Sequence, residues 1–428
     1  MMKISIIGLG YVGIQLAIAF AEKCENSKII GFDINKSKIS KYKRGIDITN
    51  EVGNKRISNA KNILFTFNEE NIRDSDFFII TVPTPINNKN LPDLTATIEA
   101  TKIVGKNIKN DSIVIYESTF YPGLTEEICI PLLEKVSNMK CPKDFKVGYS
   151  PERINPGDKI HKLTNTSKII SGVDNETINR LKELYAYILN NIVTVSSIQT
   201  AEACKILENT QRDINIAFIN EMSIIFNKLG INTKEVLNAC NTKWNFLDFK
   251  PGLVGGHCIG IDPYYLIYKA NKLNISTPII KTAREVNENM PDYIAKKIIK
   301  YLRSVNNNIE NSNVLIYGLT FKEDTNDIRN SKIIDIIKKL QKLKIKISAI
   351  DDNISIEDVE NMYNIKFEKF NKQKKFDTIV FAVAHEQYKE ININNLYNSI
   401  KWPKKVIFDL KGVLNQKYIN KNIKIYSL

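Results

Sequence analysis

Gly8-Leu9-Gly10-Tyr11-Val12-Gly13 decides the fold. An apolar run at 3–8 precedes it and reads as a buried strand, while an apolar-periodic segment at 12–22 follows and reads as a helix. In that setting the glycines allow a tight turn, close backbone approach to a pyrophosphate, and close helix–strand packing. The helix N terminus then faces the phosphates. Asp33 ends the next strand-like run, 28–33, 20 positions after Gly13, where a carboxylate can accept from ribose hydroxyls. Gly8, Gly10, Tyr11, Val12, Gly13 and Asp33 are therefore the candidate dinucleotide residues. Asp33 would repel a 2′-phosphate, which favours NAD over NADP. Lys36 and Lys38 temper that preference, and Lys38 is counted in the cofactor set. Thr81-Val82-Pro83-Thr84-Pro85 ends a further strand at the edge where such sheets bind ligands, which adds Thr84.

Working outward, the runs 77–82, 112–117, 146–149 and 167–171 read as further strands, and alternation of strand and helix implies a doubly wound α/β sheet reaching about residue 195. From 200 to 229 there is no proline or glycine, and Ala203, Ile206, Leu207, Ile214, Phe218, Met222 and Ile225 recur at helical spacing. That predicts one long helix, of the kind that joins domains or subunits. Helices are expected at 233–239 and 282–302, with Pro291 breaking or kinking the second, and 249–263 is expected to be loop. After a polar linker, 306–312, strands at 313–318, 344–351, 376–383 and 405–409 and a helix at 331–343 predict a second, smaller α/β domain. It has no second GxGxxG and is assigned no second dinucleotide. The expected domains are 1–198, 199–304 and 305–428.

At 428 residues several domains are the expectation, and no segment holds the roughly 18 unbroken apolar residues of a membrane span. Lys3 and the apolar stretch to Phe20, closing on Ala19-Phe20-Ala21, imitate a signal peptide. The glycine spacing and the strand-to-helix pattern account for more of these residues, so an intracellular, cytoplasmic chain is expected. The six cysteines (24, 129, 141, 204, 240, 258) show no C-x-x-C pairing and there are only three histidines, which argues against a metal site or disulfide framework. Five of them read as small buried hydrophobes. The net charge of +14 is spread along the chain rather than gathered in a stripe with aromatics, so no nucleic-acid partner is expected.

Gly255-Gly256-His257-Cys258-Ile259-Gly260-Ile261-Asp262 is the sharpest chemical segment: a cysteine among three glycines, with imidazole and carboxylate nearby. Taken with GLGYVG and Asp33, TVPTP, ESTFYPG, YSPERINPG, AEACKILENTQR and GLTFKEDTNDIRNS, in that order along nearly the whole chain, the sequence resembles the UDP-glucose/GDP-mannose dehydrogenase family. SPERINPGD and GGHCIGIDPYYL are more similar to the branch acting on UDP-N-acetylhexosamines.

The resemblance implies a Rossmann-type NAD domain, a central helical domain that dimerises, and a C-terminal UDP-sugar domain. It also implies oxidation of a C6 alcohol to a carboxylate with two NAD⁺. Cys258 would add to the intermediate aldehyde as a thiolate, and a thiohemiacetal and a thioester follow. Lys205 and Asn209, at i and i+4 on the long helix, would stabilise the oxyanion. Asp262 and Thr119 would position a water or hydroxyl, and Thr119 also meets the cofactor. Glu152 would stand near the thioester and its water. Lys322 and Arg329 would meet substrate and cofactor, Arg153 and Arg212 phosphate, and Gly255 the sugar.

Two positions depart from plain UDP-glucose enzymes. Ile261 stands where those usually carry lysine, and His257 replaces a small residue, which puts UDP-glucose in doubt and agrees with a bulkier N-acetylated sugar. His257 is read as a substrate-side hydrogen-bonder rather than an acid or base. The epimer stays open, with UDP-glucose and UDP-N-acetylmannosamine as alternatives. A β-hydroxyacid-type dehydrogenase would need no cysteine, and a catalytically silent nucleotide-binding protein would have no need of the full set of reactive residues.

Overall fold

In a computed structural model the residues described are 1–153, 166–392, 396–414 and 423–428. The Ile-Asn-Pro-Gly-Asp portion of the SPERINPGD motif, 154–158, lies outside them. The chain divides into two compact units. One comprises Met1–Asn209 with Tyr264–Ser276, the other Thr210–Pro263 with Thr277–Leu428.

The first unit is built on the isoleucine-rich runs. Its strands are β1 (Lys3–Ile7), β2 (Lys28–Phe32), β3 (Ile63–Thr66), β4 (Phe77–Ile80), β5 (Ile113–Tyr116), β6 (Lys146–Tyr149), β7 (Lys168–Gly172) and β8 (Ile192–Thr194). They form one sheet in the order β3-β2-β1-β4-β5-β6-β7-β8. Strands β3 to β6 run parallel, whereas β7 turns back antiparallel to β6. The order reverses between β1 and β4, and at such a switch the C-terminal strand ends open a crevice for ligands. Strands β4 and β5 are buried at every residue, as a sheet covered on both faces requires. The helix Tyr11–Lys23 packs eight buried hydrophobic residues into this core.

In the second unit β9 (Asn313–Tyr317), β10 (Lys346–Ile350), β11 (Thr378–Phe381), β12 (Lys405–Asp409) and β13 (Ile423–Tyr426) form an all-parallel sheet ordered β10-β9-β11-β12-β13. Its first turn repeats the geometry of the glycine turn without the full motif. The Gly318 N–H donates to the Ile350 carbonyl at 2.9 Å, as Gly8 does to Phe32 at 2.8 Å. Leu319 N–H donates to Asp351 at 2.7 Å, as Leu9 does to Asp33 at 2.9 Å.

The long helix runs Ile198–Leu229, 32 residues. Two expectations need correction. Pro291 does not break its helix, which extends from Pro278 to Val305. Interior proline costs about 3 kcal/mol, but Met290, Ile294, Ile298 and Leu302 are fully buried on one face, each contributing about 1.5–3 kcal/mol. The stretch 249–263 is not all loop, because a helix starts at Asp262 and continues to Lys272. Of the five cysteines expected in the core, Cys24 and Cys129 are buried while Cys141, Cys204 and Cys240 are half-buried. Among the described residues no helix is long and apolar enough to cross a membrane.

Candidate active site

The glycine turn closes because its side chains are missing. Gly8 sits at φ +95° with Val82 against it, and a Cβ on Gly13 would collide with the Gly8 carbonyl and approach the Thr81 hydroxyl to 2.6 Å. That hydroxyl donates to the Gly8 carbonyl at 2.6 Å, joining the β1 and β4 ends. A Cβ on Gly10 would meet nothing within 4 Å, and no side chain caps the helix that Tyr11 begins, which leaves room for a pyrophosphate. Asp33 is buried. Its carboxylate accepts from Leu9 N–H at 2.9 Å, Asn35 N–H at 2.9 Å and the Lys38 ammonium at 2.6 Å. A carboxylate has about four lone-pair sites, so about one is left for a ribose hydroxyl. Asp33 thus shapes the turn as well as facing the ligand crevice, and these residues fit a dinucleotide.

Along the same strand edge, Thr119 follows β5 and Glu152 follows β6. Thr119 is half-buried and Glu152 only 6% exposed. Ser118 Oγ donates to the Val82 carbonyl at 2.6 Å and Tyr149 Oη to the Ser118 carbonyl at 2.9 Å, so the loop carrying Thr119 is tied on both sides. Beneath it lies a buried group the sequence reading missed: Glu117 pairs with Lys168 at 2.7 Å and accepts from the Tyr185 hydroxyl. Burial raises the proton affinity of Glu117 above that of an ordinary carboxylate, and the Lys168 charge opposes it.

Lys205 is buried and Asn209 half-buried on the long helix. One turn before Lys205, Glu202 accepts from the Gly123 N–H at 2.5 Å, the Thr125 N–H at 3.0 Å and the Thr125 hydroxyl at 2.7 Å. It fastens the loop downstream of Thr119 to the helix that carries Lys205. Its pKa is pushed up to about 7, chiefly by burial, against those three donors. Arg153 is paired with Glu208 at 2.8 Å and donates to the Ser167 carbonyl. Thr84 lends its carbonyl to the Tyr265 hydroxyl at 2.9 Å.

In the second unit the cysteine loop is gripped along its length. Gly252 exchanges two hydrogen bonds with the Asn220 amide, at 2.8 and 3.0 Å. Gly255 and Gly256 lie so close to Asn330 and the Phe321 ring that a Cβ on either would come within 2.6 Å of them, and Gly256 adopts φ +81°. The Cys258 carbonyl accepts from the N–H groups of Ile261 and Asp262 at 2.9 and 2.8 Å, a turn that starts the helix at Asp262. Cys258 is half-buried and Asp262 1% exposed. His257 lies 3.5 Å from Asp327 and edge-on to Phe321; burial, then the Arg329 charge, push its pKa below the usual value, so it is neutral at pH 7. Arg329 is exposed and forks onto Asp327 through two bonds, at 2.8 and 3.0 Å, and Arg212 is exposed.

Lys322 shares a recess with Thr320, Phe321, Lys332, Val383 and Lys411. Lys322, Val383 and Lys411 follow β9, β11 and β12, the C-terminal edge of that parallel sheet. Three lysines line one recess, Lys332 among them paired with Glu288, and such a set suits a polyphosphate. Lys411 escaped the sequence reading; its one signal is its place just past the strand 405–409. By unit, Thr119, Glu152, Arg153, Lys205 and Asn209 fall in the first, and Arg212, Gly255, His257, Cys258, Asp262, Lys322 and Arg329 in the second.

Residues 2–189, 199–289 and 315–416 match the NAD binding, central and UDP binding domains of the UDP-glucose/GDP-mannose dehydrogenase family. The chain is 46% identical over 413 residues to a UDP-N-acetyl-D-glucosamine 6-dehydrogenase of Salmonella typhi, covering 96% of each. It is 45% identical to protein CapL of Staphylococcus aureus, over 100% of this chain and 99% of that one. A solved UDP-D-ManNAc dehydrogenase from Pyrococcus horikoshii superposes with a TM-score of 0.89 at 29% identity, covering 99% of both chains.

Proposed function

Because the chain belongs to the UDP-glucose/GDP-mannose dehydrogenase family and is an NAD-dependent dehydrogenase, we propose that it oxidises the C6 alcohol of a UDP-N-acetylhexosamine to the uronic acid through Cys258. The substrate is UDP-N-acetylglucosamine or UDP-N-acetylgalactosamine. The observation that carries the mechanism is Cys258 held half-buried on a loop gripped from Gly252 to Asp262. The sugar rests on the Salmonella relative and on Ile261 and His257 in that loop.

NAD⁺, held at the glycine turn and Asp33, would supply the hydride acceptor for each of two oxidations. Thr119 and Asp262 orient the hydroxyl or water whose proton is lost. The Cys258 thiolate adds to the aldehyde carbon, and the Lys205 ammonium and Asn209 amide donate to the resulting oxyanion. Loss of the second hydride leaves a thioester. Water then adds beside Glu152, the C–S bond breaks, and the acid leaves with the thiol restored. Lys322, Lys332 and Lys411 hold the UDP diphosphate, joined by Arg153 and Arg212 on the phosphates. Gly255 and His257 border the sugar, while Tyr11, Val12, Lys38, Thr84 and Arg329 line the cofactor.

The three domains are 1–198, 199–304 and 305–428. Leu207, Phe218, Ile225 and Leu229, spaced 11, 7 and 4 residues apart, are exposed along one face of the long helix, which supports a homodimer formed along that stripe. NAD⁺ and nucleotide sugars are cytoplasmic, and we place the protein there, supplying uronic acid for surface polysaccharide.

The test is NADH release against UDP-glucose and the N-acetylated gluco, galacto and manno UDP-sugars. Two NADH per UDP-N-acetylglucosamine or UDP-N-acetylgalactosamine are expected. One NADH per sugar, or acid formation surviving Cys258→Ser, overturns the covalent mechanism, and preference for UDP-glucose or the manno epimer overturns the substrate.

A further inference from the structure

A buried polar cluster lies against the cysteine loop in the second unit, and no step of the reaction above uses it. Arg284 is 2% exposed and donates to Asp213 at 2.6 Å and to Glu288, which in turn pairs with Lys332. Asn287, 1% exposed, donates to the Asp213 carboxylate at 2.7 Å and to its carbonyl at 3.0 Å. Its own amide oxygen accepts from Asn220 at 2.8 Å. Asn220, 0% exposed, also exchanges two hydrogen bonds with Gly252, six residues before Cys258 in the loop. At the other end, a Cβ built on Gly260 points at the guanidinium, 3.8 and 3.9 Å from its terminal nitrogens. Gly260 lies two residues past Cys258 and two before Asp262. The cluster therefore meets the loop on both sides of the nucleophile, through hydrogen bonds at Gly252 and van der Waals proximity at Gly260.

We infer that Arg284, held by Asp213 and Glu288, is a positioning residue that fixes the Cys258 loop for aldehyde capture. With its two terminal nitrogens each fixed on a different carboxylate, the buried guanidinium gives the loop a floor that resists sliding. A hydrophobic filler of like volume would keep the core packed yet lose that register. The charges of Arg284 and its buried partner Asp213 cancel, so the pair acts by placement and not by net field at the sulfur. The consequence is selective. The first hydride loss needs no sulfur, whereas the second follows only when sulfur meets the aldehyde.

This inference rests on the covalent reading of Cys258, and the experiment separates the two. Arg284→Met alone strands the Asp213 charge, so the variant is Arg284→Met with Asp213→Asn, which keeps an acceptor for Asn287. With the preferred UDP-N-acetylhexosamine and NAD⁺, acid, NADH and hydroxylamine-trapped aldehyde are measured, alongside deuterium uptake by the protein without ligands. Acid formation is expected to fall about tenfold or more, as misplacement near an ångström does, with KM near the parent value. The NADH-to-acid ratio should rise above two as aldehyde escapes, and uptake should quicken in 252–262 but not across the unit. Gly260→Leu, which wedges the loop off the guanidinium, must reproduce this pattern.

Parent acid formation and parent uptake in both variants overturn the inference, as does faster exchange throughout the unit with both oxidations slowed alike. Cys258→Ser runs in parallel. If it still yields acid, the covalent reading fails; if it stops at aldehyde while the Arg284 and Gly260 variants make acid normally, only the positioning role fails.

Discussion

Glu202→Gln tests how the long helix holds the Thr119 loop. The carboxylate is fully buried and its pKa stands at about 7 against an ordinary 4.5. A group whose folded pKa is raised binds its proton more tightly in the folded chain than in the unfolded one. The stability it contributes is therefore complete below pH 4.5 and is lost as pH rises through 7. A difference of about 2.5 units corresponds to about 3 kcal/mol. Glutamine has no proton to titrate and escapes this loss, whatever constant penalty it suffers from presenting an amide to the Gly123 and Thr125 donors. The gap between variant and parent should thus move in the variant's favour by about 3 kcal/mol from pH 4.5 to pH 8. For a unit of about 200 residues that is roughly 6–12 °C of unfolding midpoint. Calorimetric scans of both proteins at half-unit pH steps measure it. A gap constant across that range, or one moving the other way, refutes the account of Glu202 as a buried carboxylate titrating near neutrality.

Gly13→Ala should abolish dinucleotide binding in a titration with NADH fluorescence, since its Cβ has no space between the Gly8 carbonyl and Thr81; near-parent affinity would contradict that packing. Lys168→Met should destabilise the chain by about 3–5 kcal/mol, because it leaves Glu117 buried without its cation, while Lys168→Met with Glu117→Gln should recover most of the loss in thermal melts. Equal losses for both would show that the pair is not an isolated buried ion pair. Lys411→Ala should raise KM for the UDP-sugar about tenfold with kcat changed little, as loss of one diphosphate contact predicts; an unchanged KM would remove Lys411 from the substrate recess.

Much of the cofactor end was readable because its residues are neighbours in the chain. The glycines, Asp33 and the Thr81–Pro85 turn declare themselves through strand and turn patterns a few residues long. The cysteine loop stood out for the same reason. The supporting polar groups were not readable. Glu117 and Lys168 are 51 positions apart, Arg284 and Asp213 71, and Glu202 and Thr125 77. A lone glutamate or arginine on a helix reads as solvent-facing until a distant partner is brought to it. Lys411 was hidden similarly, since only the parallel order of β9, β11 and β12 sets it beside Lys322. The break that Pro291 suggested does not occur because local propensity ranks below the burial of a whole helix face, and the helix from Asp262 was concealed by glycines that belong to the turn before it.

By itself the sequence determined the alternation of strand and helix in two α/β regions, the long helix between them, the dinucleotide turn and the cysteine loop as the candidate for chemistry. These depend on periodicity and on backbone freedom at glycine, which act within a turn or a strand. Only the tertiary structure decided which charges are buried in pairs, that β7 runs against its neighbour, and what grips the cysteine loop. Desolvation and hydrogen-bond geometry depend on which atoms meet in space, and no local pattern encodes a meeting between residues fifty or more positions apart.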